Sequence, residues 1–329
     1  MNQKFQVINL KISKKILKKL NFLRELIEIL FYRRIFFNFY VIYILIKKSF
    51  MNSNYYFNDC RKEKTKEEKI ACKRLSLSNT KDDWLRKLSY GANKKNNLLA
   101  DIWLSIFAVN ARSFINPHWI LKQINAIKNF QFTNYENLLY SQLTTPGLIS
   151  YFNGFRTTEN NLNENLGREL LELYTVGEGN FSEEDVKNTA LVLTGLTLDN
   201  ENNVRQSAKF HFKGETKILG KKKFFNLKSL VNWLVQQPST AENVVKRFGN
   251  YLIGEDINHK DILPVVENFK TSNLKLANLY ESFAQNELYI NCQLLGSRLL
   301  DPSSLVSKTI SLIGSRHPNN IKIGVKILT

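Results

Sequence analysis

The sequence predicts a mainly α, multi-helical globular protein, with an irregular loop or small hairpin around 197–220. Two observations carry this prediction. Apolar residues recur every three or four positions in segment after segment, each bounded by Ser, Asn, Gly or Pro. Residues 197–220 break the rhythm, with alternating pieces (AKFHFKG, TKILG) separated by Asn and Gly. The class is anchored by Asn161–Gly195, NLNENLGRELLELYTVGEGNFSEEDVKNTALVLTG. With Asn161 or Asn163 at the N-cap, Leu166, Leu170, Leu173 and Tyr174 share one helical face. Glu164, Asn165, Arg168, Glu169 and Glu172 fill the other. Gly177 and Gly179 stop this helix. Ser182 opens a second one, with Asp185 completing a capping-box pattern and Phe181 stapling onto Val186. Gly195 closes it.

Taken in order, residues 8–30 place Ile12, Ile16, Leu20, Leu23, Ile27 and Leu30 opposite Lys14, Lys15, Lys18 and Lys19. Such a basic amphipathic helix either lies on an anionic membrane surface or packs on the domain. The apolar run Ile35–Ile46 is twelve residues long, short of the roughly 20 that span a bilayer. Flanking Arg33, Arg34, Lys47 and Lys48 would permit a snorkelling short anchor, so residues 8–48 are the candidate membrane-contacting stretch. Met51 offers an alternative start, which would remove residues 1–50 altogether. Residues 51–80 read as a polar, charge-mixed linker, 81–290 as the helical domain, and 291–329 as a poorly defined tail in which Ile321–Leu328 alternates like a strand.

Within the domain, helices are expected over Asn97–Asn110, over HWILKQINAIKNF, and over Asn134–Leu143 with Pro146–Gly147 as its stop. Others are expected over Leu227–Gln236, from Pro238 through Leu252, and over Leu274–Phe283.

The net charge of +18 sits at one end of the chain. Residues 1–100 carry 23 Lys/Arg against 8 Asp/Glu, and 101–329 carry 24 against 21. The helical domain as a whole lacks the basic excess of a nucleic-acid binder, which argues against that partner. Cys60, Cys72 and Cys292 show no Cys-x-x-Cys spacing, which argues against a disulfide framework and a zinc ribbon.

For chemistry, Glu164, Arg168 and Glu172 at i, i+4 and i+8 can form a self-neutralising surface ladder. The alternative is a pocket wall with Glu169 or Glu172 as general base or metal ligand and Arg168, helped by Asn165, holding an anion. His211, in the glycine-containing KFHFKGETK, is the third candidate for that pocket. His118, His211, His259 and His317 make no His-x3-His pattern, so no metal site is expected. The GEGNFSEED turn outlines a calcium-binding loop, but its first and third ligand positions would be Tyr174 and Val176, which lack carboxylates. No Gly-x-Ser-x-Gly, P-loop or dinucleotide fingerprint occurs. No cofactor or partner follows from these residues, and cytoplasmic and membrane- or envelope-associated locations both stay open.

The wording NENLGRELLELYTVGEGNFSEEDV, followed by ALVLTG, closely resembles the hallmark of the bacterial domain of unknown function 1800 (DUF1800) family. DIWLSIF resembles that family's Trp-His-Asn-His-Phe helix, HFKGETKILG its His-Asp-x-Gly-x-Lys-Thr-x-Leu-Gly loop, and QPSTAENVVKRF its His-Pro-x-Thr-Ala helix. This chain departs from the family at its histidines, carrying Leu104, Ile106, Tyr174 and Gln237, and keeps His211. Phe212 follows that histidine where the family has aspartate, and Leu196 stands for the tryptophan after Thr-Gly. The resemblance implies a diverged member. If the family's histidines bind metal or move protons, most of that capacity is gone here. It assigns no activity, so the expectation is a binding or assembly component. The alternatives are a diverged, hydrolytic enzyme using Glu169, Glu172, Arg168 and His211, and an N-terminal segment binding anionic lipid or nucleic acid. Members often sit beside an exported, sulfatase-like family, which implies an envelope setting.

Overall fold

The computed structural model describes residues 60, 64–91, 93–109, 116, 118–254, 257–286 and 305–308. The readings at 8–30, Ile35–Ile46, Cys292 and Ile321–Leu328 lie outside the described residues. Tyr55–Asp301 forms one compact unit, which holds every element named below. A second unit, Met1–Asn54 with Pro302–Thr329, contributes only the helical residues 305–308 to what is described.

The unit is mainly α, as the periodicity predicts. α1 (Lys66–Tyr90) starts inside the stretch read as linker. Its opening KEEK looks like solvated charge, but Thr65 and Glu68 close a capping box and Trp84, Leu85 and Leu88 bury the far end. A disulfide joins Cys60 to Cys72 on this helix, a bridge that the spacing argument did not anticipate. α2 (Lys94–Ile106), α3 (His118–Phe130) and α4 (Tyr135–Leu143) follow. Pro146 starts α5 (Pro146–Tyr151) instead of only ending α4, because proline at the first helical position gives up an N–H that has no partner there anyway.

α6 (Asn165–Glu172) and α7 (Glu183–Val192) form the anticipated helix pair. The N-cap of α6 is Glu164, three residues after Asn161 and one after Asn163, the two positions read from the sequence. Asn163 still works at the entrance: its Oδ1 accepts from the Asn165 N–H at 3.0 Å, and its Nδ2 donates to the Phe152 carbonyl. Ser182 and Asp185 make the expected capping box on α7. Phe181 is half-buried against the core and Val186 is fully buried. The two helices cross closely at Gly167, where a Cβ would sit 3.1 Å from the Ala190 nitrogen and the Val186 oxygen.

Two small antiparallel hairpins follow, β1 (Leu196–Leu198) with β2 (Val204–Gln206) and β3 (Thr216–Ile218) with β4 (Lys221–Lys223). The chain then returns to helices: α8 (Leu227–Val235), α9 (Pro238–Leu252), α10 (His259–Thr271) and α11 (Leu276–Gln285).

The core is one continuous cluster centred on Trp103. Its ring packs on Phe107, Tyr135 and Phe248 at 6.1, 5.8 and 5.3 Å, and its Nε1–H donates to the Tyr280 hydroxyl at 2.7 Å. The Tyr280 hydroxyl in turn donates to the Gln131 carbonyl, so this buried polar chain is satisfied within α2, α11 and the α3–α4 turn. α2 packs on α9 and α9 on α10, while α6 packs on α7 and α7 on β3.

Candidate functional site

Three of the segments that carry the family wording meet beside Trp103: the end of α2, the end of α6 with its following turn, and α9. Tyr174 leaves α6 just past its last turn and is 1% exposed. Its ring lies 5.0 Å from Phe107, and its carbonyl accepts the Tyr135 hydroxyl at 2.7 Å. Burial pushes both phenols well above the usual tyrosine range. At the position where the family has histidine, this chain therefore carries a core aromatic that stays neutral. Ile106 is likewise buried, and Leu104 half-buried.

α9 presents Asn243, Arg247 and Tyr251, four residues apart and so on one face of the helix. Asn243 Nδ2 donates to the carbonyls of Glu172 at 3.2 Å and Thr175 at 2.8 Å, which pins the open end of α6. The Tyr251 hydroxyl donates to the Ser105 carbonyl at 3.0 Å and ties the same face to α2. Between them lies Arg247. Its Nε is buried with no hydrogen-bond partner, and no described carboxylate pairs with it. Its charge acts on Glu169, Tyr174 and Tyr135.

Glu169 is half-buried on α6. Burial raises its pKa, and the neighbouring Glu172 charge raises it further, against the weaker pull of Arg247 and Arg168. Arg168, the expected anion holder, is otherwise engaged. It does not use Glu164 and Glu172 as ladder rungs but makes a two-pronged bridge to Glu183 on α7, at 2.9 and 2.5 Å. That bond lowers Glu183 and raises Arg168. An arginine fork meets two carboxylate oxygens better than a single i, i+4 partner can. Asn165, also a predicted anion contact, is exposed at the first turn of α6.

His211 sits elsewhere, in the loop between β2 and β3. Its Nδ1 is 3.1 Å from Gln206 Nε2 and 3.3 Å from the Thr194 carbonyl. The loop folds tightly over Gly195, whose φ is +76° and where a Cβ would come within 2.6 Å of the His211 nitrogen. Gly195 thus does more than end a helix: it admits this loop. Among the described residues, no hydrogen bond, ion pair or charge interaction joins His211 to Glu169 or Glu172.

Asp185 links the capping box to β3–β4. Its Oδ1 accepts the Leu219 N–H at 2.7 Å while Oδ2 serves Ser182. Burial alone would raise this carboxyl, but the bonds from Leu219 and Ser182 outweigh it and hold its pKa down. Gln237 stands at another family histidine position. It lines a separate cleft of about 550 Å³ with Asn134, Glu136, Asn232, Gln236 and Lys270, and its Nε2 bonds to the Trp233 carbonyl. Among the described residues, no three His, Cys, Asp or Glu side chains converge as a metal-holding group.

Arg247 went unnoticed in the sequence because VVKRF reads as core interrupted by surface charge. The signal that could have found it is the four-residue spacing of Asn243, Arg247 and Tyr251, a polar stripe next to a fully apolar one.

The fold and site define a mainly α protein whose motif helices frame a half-buried arginine and a carboxyl of raised pKa. The sequence profile described as "Protein of unknown function (DUF1800)" matches residues 13–324, and the chain belongs to that family. Searches of curated proteins and of solved structures find no match.

Proposed function

We propose that this protein is a binding component that holds an anionic group, carboxylate or phosphate, at Arg247, with Glu169 as its titratable neighbour. The observation that carries this reading is the Arg247 guanidinium, half-buried with its Nε unpartnered. A buried donor without an acceptor is costly, and a two-oxygen anion would satisfy Nε and a terminal nitrogen together. Glu169, whose pKa burial and the Glu172 charge raise, is close enough for the Arg247 charge to act on it. Tyr251 and Asn243 hold the α9 stripe in place through their bonds to Ser105, Glu172 and Thr175.

The test is thermal melting and calorimetry of the full chain with inorganic phosphate and with malonate. The melting temperature rises with at least one of them, because a ligand that binds only the folded state stabilises it. Arg247→Gln abolishes the rise and Arg168→Gln leaves it intact. The reverse pattern, or no response to either anion, defeats the reading. A second reading treats Glu169 as a general acid in a hydrolytic site, since a raised carboxyl suits proton donation. It uses Glu169 with Arg247, whereas the combination with Arg168 and His211 has Arg168 committed to Glu183 and His211 bound at Thr194.

A further inference from the structure

We infer that the outer face of the β3–β4 hairpin is a docking surface for an anionic lipid bilayer. This inference is independent of the Arg247 site. Residues 209–228 hold seven lysines and one glutamate, within a part of the chain that is otherwise close to neutral. The register sorts these lysines. Thr216 and Ile218 are buried, so the residues that pair with them, Lys223 and Lys221, lie on the inner side, where Lys223 covers the Phe225 ring and Lys221 the Trp233 ring at 4.8 and 4.4 Å. Lys217 and Lys222, paired directly across the strands, therefore point outward, and both are exposed.

Like charges directly opposite each other destabilise a hairpin unless something negative answers them. Glu215 answers in part, 3.5 Å from Lys222, and Asp185 feels Lys217. Phe224 follows directly on the end of β4, two residues beyond Lys222. It is 67% exposed and makes no ring or cation contact among the described residues. Phe210, 53% exposed under Lys209, adds a second open ring in the same segment.

Lysines surrounding an open phenylalanine fit a bilayer interface, where the ring enters the headgroup boundary and the ammonium groups reach anionic heads. Single-stranded nucleic acid is the weaker fit. It favours a row of stacking rings along a groove and arginine forks for phosphate, and this segment offers two separate exposed rings, Phe210 and Phe224, among lysines and no arginine. No helix among the described residues is long and apolar enough to cross a membrane.

The experiment is co-sedimentation of the full chain with vesicles of mixed phosphatidylglycerol and phosphatidylcholine, and with phosphatidylcholine alone. The double variant Lys217→Gln/Lys222→Gln should bind the mixed vesicles on the order of tenfold more weakly, and Phe224→Ala several-fold more weakly. Phe224 is exposed, so its replacement leaves the fold intact. A Phe224→Trp variant should gain fluorescence that brominated-acyl lipids quench, a readout that binding through residues 8–48 would not produce. The inference is overturned if the variants bind mixed vesicles like the wild type, if the added tryptophan escapes quenching, or if the variants lose a single-stranded oligonucleotide while keeping vesicles.

Discussion

The α6–α7 pair and the α9 stripe each display one conspicuous arginine, and the structure treats them in opposite ways. Arg168 stands in a motif legible from spacing alone, and a carboxylate on the adjoining helix neutralises it. Arg247 stands in a helix that reads as ordinary core, and it is left with a buried nitrogen unpartnered. The locally conspicuous charge is held in a two-pronged bridge, whereas the inconspicuous one keeps a buried donor without an acceptor. Charge at a family motif is therefore poor evidence of chemistry until its partner is known.

The sharpest way to break this contrast is to remove what both regions lean on. Tyr174→Ala deletes a fully buried ring that packs on Phe107 at the junction of α2, α6 and α9. The expected loss is about 3–5 kcal/mol, measured by urea unfolding. A loss under ~1 kcal/mol would mean that the junction is not a shared core, and the site would lose its frame. Asn243→Ala should cost less, on the order of 1–3 kcal/mol, by leaving the Glu172 and Thr175 carbonyls unsatisfied.

The next test concerns the clasp side. Asp185 closes the capping box and also receives Leu219, so Asp185→Asn should cost about 1 kcal/mol at neutral pH. Its folded pKa is depressed, so the stabilisation is complete above the unfolded value near ~3.9 and is lost as pH falls through the folded one. Wild type and variant should therefore converge in acid. Curves that stay parallel down to the acid limit would remove Asp185 as the link between α7 and the hairpin.

Much of this was legible because local rules and tertiary packing agreed. Ser182 with Asp185, the cap residues Asn134 and Asn226, and the apolar stripe of α9 each state their element within a few residues. Where local rules and packing diverge, the sequence misleads. α10 carries Pro264 in its interior, which breaks the helical signature, yet Ile262, Val265, Val266 and Phe269 bury its face. The start of α1 reads as linker because its KEKTKEEK composition outweighs a single capping box. Site residues are less legible still. That Glu183 reaches Arg168, that the hairpin reaches Asp185, and that Arg247 reaches no described carboxylate are facts of chain crossing rather than of spacing.

The smallest expected effect sharpens the contrast most. Glu169 has a raised pKa, so its contribution to stability is fullest below the unfolded value near ~4.3 and is lost as pH rises through the folded value. Glu169→Gln, a permanent mimic of the protonated form, should match the wild type in mild acid. At neutral pH it should be slightly the more stable, by less than ~1 kcal/mol given how much solvent the group still sees. The opposite sign at neutral pH, with the wild type ahead, would mean that ionised Glu169 is already Arg247's partner. The arginine would then be a second clasp like Arg168, and the anion site would have no vacancy to fill.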